Sequence, residues 1–393
     1  MTDVVRLLSD LVRLPSVNPM GRPLSGEEFL EARVTEYLCR VLTEHQVSYE
    51  RRDVVPQRAN LLARFEGSPG APVVVLDAHQ DTVPVDGMVI APFDAVIKEG
   101  RLYGRGACDV KGGLAAMLAA FLRLVKERPS RCATVVVSFT CDEEATSLGI
   151  HPLTGAWADP STRYRLLPKP PDIAIVAEPT SLDAVVAHRG AVRWQISTTG
   201  RACHSSRPEE GVNAIYRMGE VLRHLQTYAD ELPKSRPPHP LCGPATLSVG
   251  IITGGISVNA VPDRCTIEID RRVIPGERRE DVIPEVAAYL SDRLDFSVEH
   301  SDPFVFSPAL GDELNGVWAD RLLASIAPVV GQKQKVGVAY GTHASRFAQA
   351  GVPSVVFGPG DIAQAHTKDE WIDLAQLRAA AECYYRFCVD AAA

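Results

Sequence analysis

Two rhythms alternate along the first third of the chain. Phe29, Val34, Tyr37, Leu38, Val41 and Leu42 recur at the spacing of one apolar helix face, and Ser25 with Glu28 stand ahead of them as a capping box. Residues 60–65 read as a strand, and the near-continuous apolar run 73–79 reads as a strand buried on both faces. Residues 114–125 form the apolar body of a helix that opens near Lys111 and Gly112, and 134–140 and 173–177 are further buried strands. Strands alternating with helices predict an α/β layer around a largely parallel sheet. From about residue 188 the order changes to strand 191–198, helix 212–232, strands 246–252 and 265–273, helix 280–294 and strand 296–299. That β-α-β-β-α-β succession is the split βαβ pattern of a ferredoxin-like unit. Helices then return, with one buried strand at 354–357. The pattern therefore predicts an α/β domain over 1–187 and 298–393, with a smaller α+β ferredoxin-like domain, 188–297, inserted in it.

Composition narrows the function. With 393 residues, 46% hydrophobic and 23% charged, the chain is neither disordered nor fibrous, and its length suits two to three domains. Its 49 acidic and 41 basic residues give a net charge of -8 without a basic cluster, so a nucleic-acid partner is not expected. The longest strongly apolar stretch, 114–125, contains Arg123 and is too short to span a bilayer. Charges among the first ten residues argue against a signal peptide. Nine cysteines, an odd number without CxxC pairs, read as reduced thiols. A cytoplasmic protein with no membrane partner is the expectation.

The candidate chemistry lies where acids and histidines fall. His79 and Asp81 end one buried strand, Glu143 and Glu144 the next, Glu178 a third, and His366 follows a fourth after a Gly/Pro turn. In open α/β sheets, ligands collect at the carboxyl ends of the strands. Asp109 joins from the glycine-rich segment 104–113. A single histidine of this kind is most often structural, and adjacent glutamates are usually a solvated turn; several such residues at successive strand ends point to one crevice. Two imidazoles with carboxylates and no thiolates suit zinc in a hydrolytic site. Five such side chains exceed the needs of one catalytic zinc and match two ions sharing a bridging carboxylate. Asp81, two residues after His79 on a strand, shares its face and is placed to accept the other imidazole N–H.

Here the sequence resembles the M20 family of zinc aminoacylases and peptidases over nearly its whole length. His79-Gln-Asp-Thr-Val-Pro resembles the family's HxDxVP segment, and Gly106-Ala-Cys-Asp-Val-Lys-Gly-Gly its GxxDxKGG segment. Asp-Glu-Glu144, Ala-Glu-Pro-Thr180 and Ala365-His366 with Glu370 follow in the family's order and spacing. The resemblance implies a zinc-exopeptidase-like catalytic domain, with His79, Asp109 and Glu178 on one zinc and Asp109, Glu144 and His366 on the other. It implies Glu143 as general base toward a zinc-activated water, with cobalt a possible substitute for zinc. In the inserted domain, the segment around His204 resembles a lid whose histidine reaches a partner subunit's site, and since a tetrahedral oxyanion needs a donor beyond zinc, His204 is the candidate for it. Gly254–Pro262 resembles the lid loop that carries Asn259, and Arg272 stands where the family meets a substrate carboxylate. His343 departs from the family, many of whose members carry an acid there, and is expected in the substrate pocket. The resemblance implies a homodimer paired through the lid, acting on a small N-acyl amino acid or dipeptide. Acetylornithine deacetylase-like chemistry comes first, then a di- or carboxypeptidase or a deformylase. A catalytically silent binding protein on this scaffold is the remaining alternative, and it would be marked by missing ligands or base.

Overall fold

The apolar runs of the first third become strands of one eight-stranded sheet in the computed structural model, which describes residues 3–392. Its strands are β1 (Tyr49–Val55), β2 (Arg58–Phe65), β3 (Val73–His79), β4 (Thr134–Thr140), β5 (Ile173–Val176), β6 (Ala184–His188), β7 (Lys335–Val338) and β8 (Ser354–Val356). They lie in the order β1-β2-β4-β3-β5-β8-β6-β7. At its centre β4, β3, β5 and β8 run parallel, with His79 opposite Thr140, Asp77 opposite Val176 and Val356 opposite Val176. Their carboxyl ends therefore share one rim. All seven residues of β4 are buried, as an apolar run without alternation requires.

Helix α1 (Val4–Val12), α2 (Ala32–Glu44), α3 (Lys111–Glu127) and α4 (Leu374–Asp390) belong to the same layer, and α3 packs on α1, α4 and β3. The Leu/Ala-rich body of α3 favours helix by intrinsic propensity and is buried from Lys111 to Leu122. Each such leucine contributes about 1.5–3 kcal/mol through burial.

One expectation is corrected at α2. The apolar face is present, but the helix opens at Ala32, and Ser25 and Glu28 form no capping box for it. The Val17 N–H donates to the Glu28 carbonyl at 2.9 Å, and the Leu30 N–H donates to the Val17 carbonyl at 3.0 Å. These bonds hold 28–30 in bridge pairing, and Leu30 takes a positive φ of 65°. The residue before the helix, Glu31, caps nothing with its side chain because Arg58 engages it.

The chain divides into two compact units. The larger takes the chain up to Val186, then Asp312–Val336 and the stretch from Thr342 on; the smaller takes Ala187–Gly311 and Gly337–Gly341. The smaller unit runs strand Gly190–Thr199, helix Ala214–Ser235, strands Thr246–Gly254 and Arg264–Val273, helix Val282–Ser291 and strand Glu299–His300. Its sheet places Thr246–Gly254 at one edge, then Arg264–Val273, Gly190–Thr199 and Glu299–His300. Trp194, Met218, Leu225, Ile267, Ile269 and Val286 form part of its own apolar core. The expected boundary at 297 falls too early. Glu299–His300 and Val305–Ser307 both pair with Gly190–Thr199, so 298–311 complete the smaller unit. Among the described residues no helix is long and apolar enough to cross a membrane.

Candidate metal centre

β3 stops at His79, whose Nδ1 lies 3.0 Å from the backbone carbonyl of Asp81 and 3.5 Å from its carboxylate. Donating there puts the ring proton on Nδ1 and leaves a lone pair on Nε2. That Nε2 is buried without a hydrogen-bond partner, 3.3 Å from Asp109 Oδ1. The other oxygen of Asp109 stands 3.4 Å from His366 Nε2, which is in turn 3.3 Å from Glu144 Oε2. Two donors on one tetrahedral zinc, with its usual bond lengths, stand about 3.3 Å apart. Asp109 thus offers one oxygen to each imidazole, as a carboxylate shared by two ions does. Donor atoms of His79, Glu143 and Glu178 fall within 4.8 Å of one another, and so do those of His79, Asp109 and Glu144.

Local sequence explains the convergence. Gly106 has φ +81°, and a Cβ there would meet Thr82 at 2.7 Å. Gly113 lets α3 close on the end of β5, where a Cβ would come 2.8 Å from that of Ala177, next to Glu178. The loop between them is held by Glu370, a fully buried acid. Its carboxylate accepts the N–H groups of Gly106 (3.0 Å), Cys108 (2.9 Å) and Asp109 (3.0 Å) and the Arg105 guanidinium (2.6 Å). The carboxylate of Asp81 does the same for the next strand end, accepting the N–H groups of Glu143 (3.0 Å) and Glu144 (3.2 Å).

The electrostatics call for cations. Burial, then the charge of Asp109, pushes Glu144 up to about 8, and burial with neighbouring acids lifts Glu178 well above the carboxylate range. Burial also raises Glu143. Hydrogen bonds to Asp109 and Glu144 raise His366 to about 11; at His79 burial opposes the rise, but Asp109 and Asp81 carry it well up. Deprotonated, as metal ligands must be, four carboxylates and two neutral imidazoles would concentrate negative charge in a low-dielectric site, which divalent ions would neutralise. The orphaned His79 Nε2 and Glu144 Oε1 and the nitrogen–oxygen donor set without thiolates fit such ions.

His343 lies immediately before helix Ala344–Gln349 and is buried. Its Nδ1 is 3.1 Å from Asp77 Oδ2 and 3.3 Å from the Thr140 hydroxyl. The other three expected residues lie in the smaller unit. Cys203–His204 pairs with Ala260–Val261, and the Ser205 N–H donates to the carbonyl of Asn259 at 3.1 Å. His204 is exposed; its Nδ1 accepts the Ser206 N–H at 3.2 Å, so the neutral ring carries its proton on Nε2 as an outward donor. Arg272 is gripped by the Asp270 carboxylate in a fork of 2.7 and 3.1 Å.

Sequence reasoning assigned no duty to Glu370, Arg105, Arg58, Asn18 or Asp142, all buried and all wired to the metal-centre loops. The available signal was polarity out of place, such as Arg58 and Asn60 just ahead of the apolar run 61–63.

Comparison with known proteins shows the family. The profile of peptidase family M20/M25/M40 matches residues 75–390. An acetylornithine deacetylase of Proteus mirabilis is 35% identical over 328 residues, 80% of this chain and 78% of that one. One of Myxococcus xanthus is 30% identical, with 83% and 82% covered. An M20 metallo-carboxypeptidase of Sulfolobus solfataricus superposes with a TM-score of 0.77 over the whole of both chains at 17% identity. A dinuclear metal-binding M20 peptidase of Bacillus subtilis gives 0.70 at 18% identity, covering 98% and 96%. With a matched stretch that opens inside β3 and closes in α4, and so takes in every donor of the centre, the chain belongs to peptidase family M20/M25/M40, amide-bond hydrolases that work with divalent metal.

Proposed function

We propose that the protein is a dinuclear zinc amidohydrolase that removes the acyl group from small N-acyl amino acids, in the manner of acetylornithine deacetylase. The observation that carries this reading is Asp109 set between two imidazoles, with a Glu143 oxygen within 4.8 Å of donor atoms of His79 and Glu178. His79, Asp109 and Glu178 would hold one ion, and Asp109, Glu144 and His366 the other, with cobalt an acceptable substitute. Bound there, such ions supply positive charge that lowers the pKa of a water and polarises an amide carbonyl. Glu143 takes the proton from the attacking water and passes it to the departing amine. Asp81 keeps His79 in the tautomer that binds metal and pins the backbone of both glutamates. His204, with its proton on the exposed Nε2, is the proposed donor to the tetrahedral oxyanion, and Asn259, joined to it through Ser205, is the proposed second polar contact. Arg272 is proposed to bind the substrate carboxylate, and His343 to line the pocket. Deacetylase chemistry ranks above a peptidase's because the relatives at 30% identity or more are named deacetylases, whereas the peptidase structures share 21% identity or less.

A homodimer paired through the smaller unit completes the proposal. Thr246–Gly254 is a nine-residue edge strand whose residues Ile251 and Ile252 are exposed, and the loop that follows leaves Ile256 98% and Val258 100% exposed. Such an edge is a template for pairing with a copy of itself. Nine cysteines, an odd number without CxxC pairs, suit the reducing cytoplasm.

The test is a panel of N-acetyl, N-formyl and N-succinyl amino acids and dipeptides, offered as free acids and as amides. N-acetyl amino acids should be turned over best. Arg272→Ala should raise KM for the acids far more than for the amides, since losing a desolvated charge pair costs about 2–5 kcal/mol. Equal losses would remove Arg272 from the pocket, and inactivity toward the whole panel would remove the proposed function.

A further inference from the structure

Behind the rim that carries Glu143 and Glu144 lies a buried charged network built from five separate positions in the sequence. Arg58, at the start of β2, is 7% exposed, and Glu31, just ahead of α2, is fully buried. The guanidinium meets Glu31 through its Nε, at 2.9 and 3.1 Å from the two oxygens, and through Nη2. Its Nη1 donates to Asp142 Oδ1 at 2.6 Å, and Asp81 lies 4.0 Å from Nη2. Asn18 ties the same acids together, its Nδ2 donating to Asp81 (2.8 Å) and to Asp142 (2.9 Å). Asp142, with φ +64°, is the residue at which the chain turns away from β4. Its N–H donates to Glu31 at 3.1 Å, while its Oδ2 accepts the N–H groups of Thr146 (3.2 Å) and Leu148 (3.3 Å). Every backbone amide from 142 to 144 is therefore held by a carboxylate of this network.

We infer that Arg58 is a positioning residue for the catalytic glutamate: clamped by Glu31, its guanidinium fixes the Asp142 turn from which Glu143 and Glu144 project. The inference rests on the reading of Glu143 as the general base. Three carboxylates packed in a dry interior repel one another, and one planar fork that meets two of them in set directions turns that repulsion into a fixed geometry. A lysine ammonium has the charge without the fork. The geometry matters because a water-borne proton is transferred over hydrogen-bond distance, and a misplacement of about 1 Å costs on the order of a hundredfold in rate.

The experiment is a double-mutant cycle on the full-length enzyme at saturating zinc, reading kcat, KM, zinc per chain and melting temperature. Glu143→Gln alone tests the base: if it stays fully active, the reading of Glu143 fails, whatever Arg58 does. With Glu143→Gln inactive, Arg58→Lys should lower kcat roughly ten- to a hundredfold while leaving KM and zinc content near wild type. Added to Glu143→Gln, it should change the residual rate by less than about twofold, because both act through one proton transfer. Wild-type kcat in Arg58→Lys, or the same fold loss in both backgrounds, would each overturn the inference. If Arg58→Lys does not fold, Asn18→Ala in the same cycle decides by the same criteria.

Discussion

Glu143 and Glu144 are neighbours in sequence, share the Asp81 carboxylate as backbone acceptor, and are proposed to do different work. Glu144 reaches His366 at 3.3 Å and groups with His79 and Asp109, whereas Glu143 groups with His79 and Glu178. Glu143→Gln should keep about two zinc ions per chain and lose roughly two to four orders of magnitude in kcat, the worth of a general base. Glu144→Gln should lower zinc content first, and its activity should recover with added zinc. Elemental analysis beside kinetics separates the two, and equal zinc loss in both would end the division of roles. The grouping of His79, Glu143, Glu144 and Glu178 was legible in the sequence because each stands at or just past the end of a strand, and strand ends of a parallel sheet share a rim; Asp109 comes to it from the glycine-rich loop and His366 from the segment after β8. Arg58 and Glu370 were not legible in the same way. Their meaning depends on partners brought from far along the chain, such as Asp142 for Arg58 and the 106–109 amides for Glu370.

At the scale of elements, the periodicity reads reliably where burial is complete. β3, β4 and α3 appear where the apolar runs place them, since a strand or helix packed on all sides leaves no polar alternation to misread. The errors fall where the backbone has another partner. The start of α2 moves to Ala32 because 28–30 pair with Val17, an interaction that no local pattern announces. The end of the smaller unit moves past 297 because two short strands, too brief to carry periodicity, add to Gly190–Thr199. The glycine-rich segment is the counter-example: Gly106 and Gly113 each allow a close approach that a side chain would block, against Thr82 and Ala177.

At the scale of the molecule, the metal donors belong to the larger unit and His204, Asn259 and Arg272 to the smaller. If His204 serves a partner's site, His204→Ala and Glu143→Gln should each be inactive with zinc retained. Mixed under subunit exchange, they should regain up to about one quarter of wild-type activity, since about half the dimers are mixed and each mixed dimer has one intact site of two. No recovery, with exchange shown by mass, would place His204 in its own chain's site or outside catalysis. The central claim, that two ions held by these residues carry the hydrolysis, is tested most directly by titrating zinc into metal-stripped protein. Bound zinc, proton release and turnover of an N-acetyl amino acid are followed together. In the stripped protein the raised Glu144 carboxyl and the raised His79 and His366 imidazoles hold protons near neutral pH, so zinc must displace them. The account predicts no turnover without metal, a plateau as about two ions bind per chain, protons released on binding, and affinity that weakens as pH falls. Full turnover by the stripped protein, or zinc uptake without proton release or activity, would contradict it.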